Sequence, residues 1–433
     1  MTDVAAPPMI STGSWLLRWY VLAIMCLAYA ISIADRYVVT TVMELMRLEL
    51  HLTDGGIAFL TGVPLAVFYV TLGIPLSWLA DHGNRRNLLA AALVVWSAMT
   101  ALCGLSASYM QFALARVGVG VGEAGGTPPA NSIIADNFPA ARRAMAMTVF
   151  ALGAPLGAWL GANMAGSVAH LYGWRMAFLV LGVPGVVLGL VVLITIREPR
   201  RGRLDATNPD AKATFLQSMA FLWKQKACMH VVMGGGVSAL WGWGLMWFTP
   251  TYLQRAYHLN VGEAGDLVGN INLIAGAIAS VATAWLLSRP AFGDPRRVLW
   301  LLAGGVALTT IPSFLAFYVH ELWLTKLMLW IFIPAIYFYI GPAMALIQNL
   351  APPKMRATYI AISLLVANIL NLIVAPQAVG WMSDAFAGAR GADAASLRLA
   401  LLVLAPTGFW AAWHYWAATK TVVAEQKLAI GYI

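Results

Sequence analysis

Long apolar segments separated by short polar breaks occupy most of the chain. Each is long enough to cross the hydrocarbon core of a bilayer as a helix, which takes about 20 residues. The first is too long for a signal-peptide core and has no charged region before it, so we expect it to remain in the mature protein. The pattern predicts twelve spans, numbered in chain order, at about 16–43, 57–80, 88–108, 110–135, 144–168, 176–196, 227–253, 264–288, 298–319, 322–348, 357–383 and 397–419.

The composition is that of a membrane protein. Hydrophobic residues make up 61% of the 433 residues and charged residues only 10%, whereas soluble domains contain about 25% charged residues. Cys26, Cys103 and Cys228 lie in predicted spans and show neither a disulfide framework nor the spacing of metal ligands. We therefore expect an all-α polytopic membrane protein with no metal and no cofactor.

Basic residues are distributed unevenly between the two sets of loops. Eighteen of the 27 lysines and arginines lie on the side of the chain termini, and six lie on the opposite side. Because basic loops stay in the cytoplasm, both termini are predicted to be cytoplasmic, and the net charge of +9 is mostly a topology signal. No soluble segment is long enough to carry a nucleic-acid surface. We expect a monomer without a nucleic-acid partner, in the cell membrane of a bacterium (its inner membrane).

The longest polar break divides the spans into six and six. It separates an N-terminal bundle, residues 1–197, from a C-terminal bundle, residues 226–433, and leaves a cytoplasmic linker at 198–225. Within the linker, apolar residues recur at helical spacing over 215–223. This stretch is either a short amphipathic helix at the membrane interface or simply the segment that leads into span 7.

Internal repetition supports the division into two halves. Residues 129–144, at the end of span 4, match residues 342–357, at the end of span 10, at a single offset. Parallel six-helix halves with a binding site near the membrane midplane are an architecture of transporters that work by alternating access. We therefore expect twelve transmembrane helices in two six-helix bundles.

Four charged residues interrupt the apolar spans of the N-terminal half: Asp35, Arg36, Arg116 and Glu123. Such residues are costly in lipid and usually face a cavity or an ion pathway. Arg116 and Glu123 are seven residues apart, which places them on one helix face about 10 Å apart. Desolvation favours the neutral form of the two acids and the arginines favour the charged form, so protonation falls within reach of neutral pH. We predict that Asp35 and Glu123 bind protons and that Arg36 and Arg116 act as counter-ions or anchor an anionic headgroup. The alternative is a static ion-pair network that only fixes helix packing.

The loop between spans 2 and 3, residues 77–86, resembles the signature loop of the major facilitator superfamily. The resemblance implies a clamp on the cytoplasmic side, in which a carboxylate at a helix end lies close to basic residues. The corresponding loop of the second half, residues 286–297, has lost the acid that would correspond to Asp81, so the clamp is expected to depend on the N-terminal half. The predicted gate residues are Asp81, Arg85, Arg86, Asp136 and Arg142.

Within the superfamily, the first half is similar to the spinster family of lipid transporters and its bacterial relatives. The resemblance implies proton-coupled transport, as symport or antiport, of an amphipathic lipid such as a lysophospholipid or a sphingoid lipid. Alternatives are a symporter of small organic anions such as sugar acids, whose family has similar charges in spans 1 and 4, and a multidrug-type exporter. The residues that carry the resemblance are Asp35-Arg36-Tyr37, Gly120 to Ala124, Ile134-Ala135-Asp136, Pro139, Arg142-Arg143, Gly153 to Gly157 and Tyr172 to Arg175.

The predicted spans of the second half contain aromatic and amide residues rather than deep acids. An aromatic wall opposite a charged wall would suit a molecule with a polar head and an apolar tail, although aromatic residues in membrane proteins more often serve packing. The residues predicted to line the cavity are Tyr37, Trp243, Trp247, Tyr337 and Asn368, from a wider set that includes Trp241, Tyr252, Asn270, Asn272, Tyr339 and Asn371.

An enzyme or a channel would need features that this sequence does not show. The seven histidines are never in metal-ligand spacing, and no Walker A sequence is present. A channel would need a continuous polar pore, which two bundles with a charged gate do not suggest. The expected partners are therefore a small-molecule or lipid substrate, protons and the membrane lipids.

Overall fold

A computed structural model describes residues 15–199, 215–352 and 355–430, and these residues form helices and connecting turns without any β-strand. Eleven helical segments are long and apolar enough to cross a membrane, which confirms the predicted all-helical membrane fold. They correspond to spans 1–3 and 5–12 and have the bounds Trp15–Glu49, Asp54–His82, Arg85–Gly104, Met145–Tyr172, Trp174–Thr195, Lys226–Tyr257, Val261–Leu287, Pro295–Tyr318, Leu322–Leu350, Thr358–Arg390 and Ala394–Ala418.

Span 4 is divided into two helices, Tyr109–Glu123 and Thr127–Asn137. The break falls at Gly125-Gly126, just before two prolines that occupy the first turn of the second helix. Glycine weakens a helix interior, and proline fits only the first turn. The prediction of one continuous helix over 110–135 is therefore wrong. Glu123 is the last residue of its helix rather than an interior residue.

Spans 5, 8 and 11 each contain a π-helical turn, at Leu160–Met164, Ile271–Gly276 and Ile369–Val374. Such turns interrupt the regular α-helical bonding and are frequent at functional sites. Each turn carries one asparagine, respectively Asn163, Asn272 and Asn371. Span 10 is also interrupted, with helices at Leu322–Phe332, Ala335–Phe338 and Ile340–Leu350.

The two halves meet where span 1 packs on span 7, span 2 on span 11 and span 5 on span 8. Glycines allow two of these approaches: a Cβ added at Gly265 would lie 2.3 Å from the carbonyl oxygen of Ala162, and one at Gly62 would lie 2.0 Å from that of Leu372. Backbones this close leave no room for a side chain. The central region between the halves is thus bounded by spans 1, 2, 5, 7, 8 and 11.

A helix at Phe215–Lys224 occupies the position of the predicted interfacial helix. Leu222 is buried, whereas Leu216 and Trp223 are largely exposed, as expected for an apolar surface that faces lipid. The rest of the linker, residues 200–214, lies outside the described residues. The domain boundaries stay a prediction.

Candidate functional site

An ion pair joins span 1 to the end of the first helix of span 4. The guanidinium of Arg36 donates to Oε2 of Glu123 from Nη2 at 2.7 Å and from Nε at 3.1 Å. The Glu123 side chain is fully buried, and Arg36 lies over the ring of Tyr69, 5.1 Å from its centroid. The structure therefore pairs Glu123 with Arg36. Glu123 and Arg116 were expected to lie close together, but in the described structure they make no direct contact.

Asp35 is fully buried, and neither of its carboxylate oxygens has a hydrogen-bond partner in the described part of the chain. The hydroxyl of Thr100, on span 3, is buried beside this carboxylate and makes no hydrogen bond of good geometry with it or with the other described residues. An ionised carboxylate is costly to bury unless it is paired and hydrogen-bonded. Asp35 therefore makes no ion pair that would hold two helices together among the described residues.

Arg116 is almost fully buried and has spare hydrogen-bonding capacity. Its Nη2 donates to the carbonyl oxygen of Thr61 at 3.1 Å, while Nε and Nη1 have no partner among the described residues. Arg116 and Arg36 both line a narrow, partly open space between the two halves, called the arginine cavity below. The rest of its wall consists of Thr40, Thr61, Gly62, Leu65, Trp247, Leu372 and Pro376.

Aromatic residues from both halves meet beside the arginine cavity. Tyr37 lies edge-on to Trp247 at 5.5 Å between ring centroids, and Trp247 lies 5.3 Å from Trp243. The hydroxyls of Tyr37 and Tyr337 both donate to Oδ1 of Asn272, at 3.1 and 2.8 Å. Four residues predicted to line the cavity thus form one cluster across the midplane.

Other residues of the predicted aromatic and amide set lie elsewhere. Trp241 donates to Ser313 inside the C-terminal half, and Tyr252 packs on Phe317. Asn371 accepts a hydrogen bond from Trp247 at 2.9 Å and so supports the cluster from span 11. Asn368 is half-buried, and no hydrogen bond or ring contact joins it to the cluster among the described residues.

A second charged cluster joins the halves on the side opposite the termini, called the far side below. Arg255, near the end of span 7, bonds Oε2 of Glu44 at 2.6 Å and Oδ1 of Asp54 at 2.7 Å. Asp54 also accepts from Ser383 at 2.7 Å, and Asp384 accepts from the backbone N–H groups at the start of span 2. These five residues, the far-side cluster, link spans 1 and 2 to spans 7 and 11.

The sequence analysis missed the far-side cluster because it placed Arg255 in a loop and ended span 1 before Glu44. The feature of the sequence that could have revealed the far-side cluster was the length of the two helices. Spans 1 and 7 contain 35 and 32 residues, many more than the roughly 20 that cross a membrane, so their far ends extend beyond the hydrocarbon core and can carry charges.

The model of the Major Facilitator Superfamily matches residues 25–376 of the chain. The chain belongs to this superfamily. It is therefore a multi-pass membrane transporter of a small molecule, powered without its own nucleotide hydrolysis, and not an enzyme. In transporters built from such repeats the substrate site lies at the interface of the halves, and the arginine cavity lies at that interface here.

Individual proteins that are similar to this chain show which members of the superfamily it is related to. An efflux pump of the superfamily from Mycolicibacterium smegmatis is 30% identical over 390 residues, covering 89% of each chain. The mouse sphingosine-1-phosphate transporter SPNS2 is 27% identical, covering 84% of this chain and 69% of its own. A crystal structure of a bacterial homologue of the human lysosomal transporter spinster, inward-facing and unoccupied, has a TM-score of 0.87 at 29% identity, covering 95% of this chain and 99% of that one. The chain is a secondary transporter related to the spinster proteins.

The facilitator's signature loop leads into a network on the side of the termini. Arg85 is buried and bonds Asp136 at 2.5 Å, Ser132 at 2.8 Å and Glu198 at 2.7 Å. Glu198 also accepts from the backbone N–H of Arg86. Asp136 and Ser132 belong to the N-terminal half and Glu198 is the first residue of the predicted linker, so this network braces that half and ties the start of the linker to it. Glu198, which follows span 6, was not predicted.

Arg86 joins this network only through its backbone N–H, and among the described side chains of the predicted gate those of Arg86 and Arg142 do not bond it. Arg142 is exposed, the guanidinium of Arg86 donates to Asn87, and the side chain of Asp81 lies outside the described part of the structure. The gating role of all five residues stays a prediction.

Removal of the Arg85 side chain is expected to destabilise the N-terminal half. Arg85→Met would leave Asp136 and Glu198 without their shared cation, and loss of one partner from a buried ion pair costs about 3–5 kcal/mol. We expect the lower end, because Glu198 is a quarter exposed. Thermal unfolding of the purified protein tests this, with Arg296→Met, at an exposed position, as the control. An unchanged unfolding temperature would show that the network contributes little.

Proposed function

We propose that this transporter carries an amphipathic lipid with an anionic headgroup, such as a lysophospholipid or a phosphorylated sphingoid lipid, coupled to protons. The observation that carries the proposal is the arginine cavity. The buried Arg116 and the partly exposed Arg36 lie in its wall with Trp247, Leu372 and Pro376. A headgroup and the start of a hydrocarbon tail would each find a matching surface there.

Arg116 is the proposed anchor of the headgroup. Its two unpartnered nitrogens are available, whereas Arg36 is engaged by Glu123. A guanidinium suits phosphate and carboxylate because its planar donors can bind two oxygens at once. The mouse relative named as a sphingosine-1-phosphate transporter supports an anionic lipid as the substrate class.

Asp35 and Glu123 are the proposed proton sites. Both are buried, and three of their four carboxylate oxygens lack a hydrogen-bond partner among the described residues. Each lies in the half that also provides the headgroup anchor. Protonation of either acid changes the charge balance with Arg36 and Arg116, so proton binding and anion binding are coupled electrostatically.

The conformation is proposed to be open toward the termini. The far-side cluster and the hydrogen bonds from Tyr37 to Asn272 and from Trp159 to Asn270 hold the halves together at mid-depth and on the far side. The positive-inside rule predicts that the termini are cytoplasmic, which would make this an inward-open state. The high similarity to an inward-facing spinster homologue supports this assignment.

Replacing Arg116 with alanine is expected to weaken the binding of anionic lysolipids. A hydrogen bond to a charged group contributes about 1.5–3 kcal/mol, so the dissociation constant should rise about 10- to 150-fold. Ligand-linked thermal stabilisation of purified protein measures this with lysophosphatidylglycerol, with Arg296→Ala as a control. Sugar acids should give no stabilisation. If sugar acids stabilise the protein and lysolipids do not, the lipid assignment is wrong.

A further inference from the structure

Polar atoms without a hydrogen-bond partner are concentrated around the two buried acids of the N-terminal half. Five such side-chain atoms have no partner in the described part of the chain: both carboxylate oxygens of Asp35, Oε1 of Glu123, the indole N–H of Trp96 and the hydroxyl of Thr100. A buried polar atom is costly when it makes no hydrogen bond. A group of such atoms therefore indicates bound water.

Span 3 lies beside both acids. Trp96 and Glu123 line the same space within the N-terminal half, and the hydroxyl of Thr100 is buried beside the Asp35 carboxylate. Trp96 and Thr100 are four residues apart in one helix, so they share a helix face and are about 6 Å apart along the axis. This face of span 3 therefore runs from Glu123 to Asp35.

The space beside Glu123 is partly open and has room for about one water molecule. It extends from Glu123 toward the side of the termini, because its wall also contains Leu89, one turn after Arg85 in span 3, and Ala130, in the second helix of span 4. It shares no lining residue with the arginine cavity. Water in this space thus reaches Glu123 without contact with the wall of the arginine cavity.

The donors and acceptors along this face are of the types that a proton relay needs. The indole N–H of Trp96 only donates, whereas the hydroxyl of Thr100 both donates and accepts. Protonated Glu123 gives its proton to a water held by Trp96, the water gives one to Oγ1 of Thr100, and Thr100 passes its own proton to Asp35. Each step breaks one O–H bond and forms another. The negative charge moves from Asp35 to Glu123, which already binds Arg36.

We propose that ordered water on the face of span 3 formed by Trp96 and Thr100 carries protons between Glu123 and Asp35, with Thr100 as the relay residue. Protons then enter from the side of the termini through the N-terminal half, while the lipid occupies the arginine cavity. This inference rests on the proposed proton coupling and adds a route for the protons. Buried ionisable residues of membrane transporters often belong to relays of this kind.

The first test removes the hydroxyl of Thr100 and keeps the shape of the side chain. A positioned group speeds proton transfer about 10²- to 10⁴-fold. Because conformational steps also limit a carrier, we expect Thr100→Val to slow the lysolipid-dependent change of internal pH in proteoliposomes at least about tenfold. Thr100→Ser should restore the rate. Binding of lysophosphatidylglycerol and exchange of lysolipid down its own gradient should be unchanged in both variants.

Ser97→Ala is the matched control for the first test. The hydroxyl of Ser97 is also buried in span 3, but it points toward span 6, where a Cβ added at Gly185 would lie 2.0 Å from it. The change of internal pH should keep its normal rate in this variant. An equal fall in Ser97→Ala and Thr100→Val would indicate a general disturbance of span 3 and overturn the relay.

The second test does not depend on the lipid. Infrared spectroscopy follows the carboxyl band of protonated Asp35 after a pH jump, and the band is assigned by its loss in Asp35→Asn. A bulky thiol reagent on Thr61→Cys blocks the arginine cavity, whose wall contains Thr61, in a protein with its native cysteines replaced by alanine. The band should form at the normal rate in the blocked protein and more slowly in Thr100→Val.

The outcomes separate the proton route from the proposed function. If Thr100→Val keeps the normal rate in both tests, or if blocking the arginine cavity prevents protonation of Asp35, the route is wrong and proton coupling stands. If the Asp35 band behaves as expected but no lysolipid binds, the route stands and the lipid assignment fails. An Asp35 band that does not respond to pH in the unblocked protein would contradict the proposed proton coupling and the route together.

Discussion

Glu123→Gln is expected to abolish accumulation of substrate driven by a pH gradient. The structure gives the physical reason: Oε2 of Glu123 bonds Arg36, Oε1 has no hydrogen-bond partner in the described part of the chain, and the whole side chain is buried. Glutamine keeps the size and an oxygen acceptor for Arg36 but cannot titrate. A carrier without coupling to protons still equilibrates its substrate, so the ratio of internal to external substrate should fall to about one.

The measurement is transport into proteoliposomes with and without an imposed pH gradient. Exchange of substrate down its own gradient should survive in Glu123→Gln, which shows that the variant is folded. Asp35→Asn should behave similarly, since it removes the other buried acid. Glu49→Gln provides a matched control, because Glu49 pairs with Arg175 at an exposed site away from the cavity. If Glu123→Gln and Asp35→Asn both keep the full response, the buried charges are a structural network.

Arg255→Ala is expected to open the far side of the transporter. Arg255 is the cation that reaches Glu44 and Asp54 from the other half, and all three side chains are at least nine-tenths buried. Arg47 also pairs with both acids from within their own half, so we expect the lower end of the cost of losing a buried partner. Removal of one partner from such a pair costs about 3–5 kcal/mol, and roughly 5.5 kcal/mol inverts a population of 1:99. The free-energy difference that favours the closed far side over the open far side should therefore become small.

Cysteine labelling from the far side reports the change. The reporter is Gln254→Cys, next to the cluster, in a background whose three native cysteines are replaced by serine. Labelling should rise at least about tenfold in Arg255→Ala, the result of a shift of about 1.4 kcal/mol. Asp384→Asn should give a smaller rise, since it weakens only the bonds to the start of span 2. Arg175→Ala, which breaks a pair within one half, should leave labelling unchanged; a similar rise there would point to general loosening of the fold.

The membrane fold and the buried charges could be predicted from the sequence because both follow from local chemistry. Apolar runs of sufficient length must be helices in lipid, and a charge within such a run must face protein or a cavity. That argument selected Asp35, Arg36, Arg116 and Glu123 without any knowledge of their partners. All four are indeed buried, or nearly so, in the N-terminal half.

The pairing of these charges could not be predicted. Helix periodicity placed Glu123 with Arg116, but the contact that forms is with Arg36 on another helix, and it depends on how spans 1 and 4 pack. The glycines at 125 and 126 end the helix directly after Glu123. Proximity along one helix therefore says little about which ion pair forms.

Contacts between helix ends that are distant in the sequence could not be predicted either. Arg255 meets Asp54 across 201 positions of the chain, and Glu198 meets Arg85 across 113. Each residue looks like an ordinary charge at a membrane boundary when it is considered alone. Only the packing of the chain shows that the first contact joins the two halves and that the second ties the start of the linker to the N-terminal half.

The central claim is that binding of an anionic lipid and movement of protons occur in one coupled cycle. It is tested most directly by loading proteoliposomes with a pH-sensitive dye and adding lysolipid outside, with no initial pH gradient. The account predicts a change of internal pH that requires the lysolipid, is lost in Glu123→Gln and is reduced in Arg116→Ala. Lysolipid transport without any change of internal pH, in vesicles that respond normally to an added proton carrier, would contradict it.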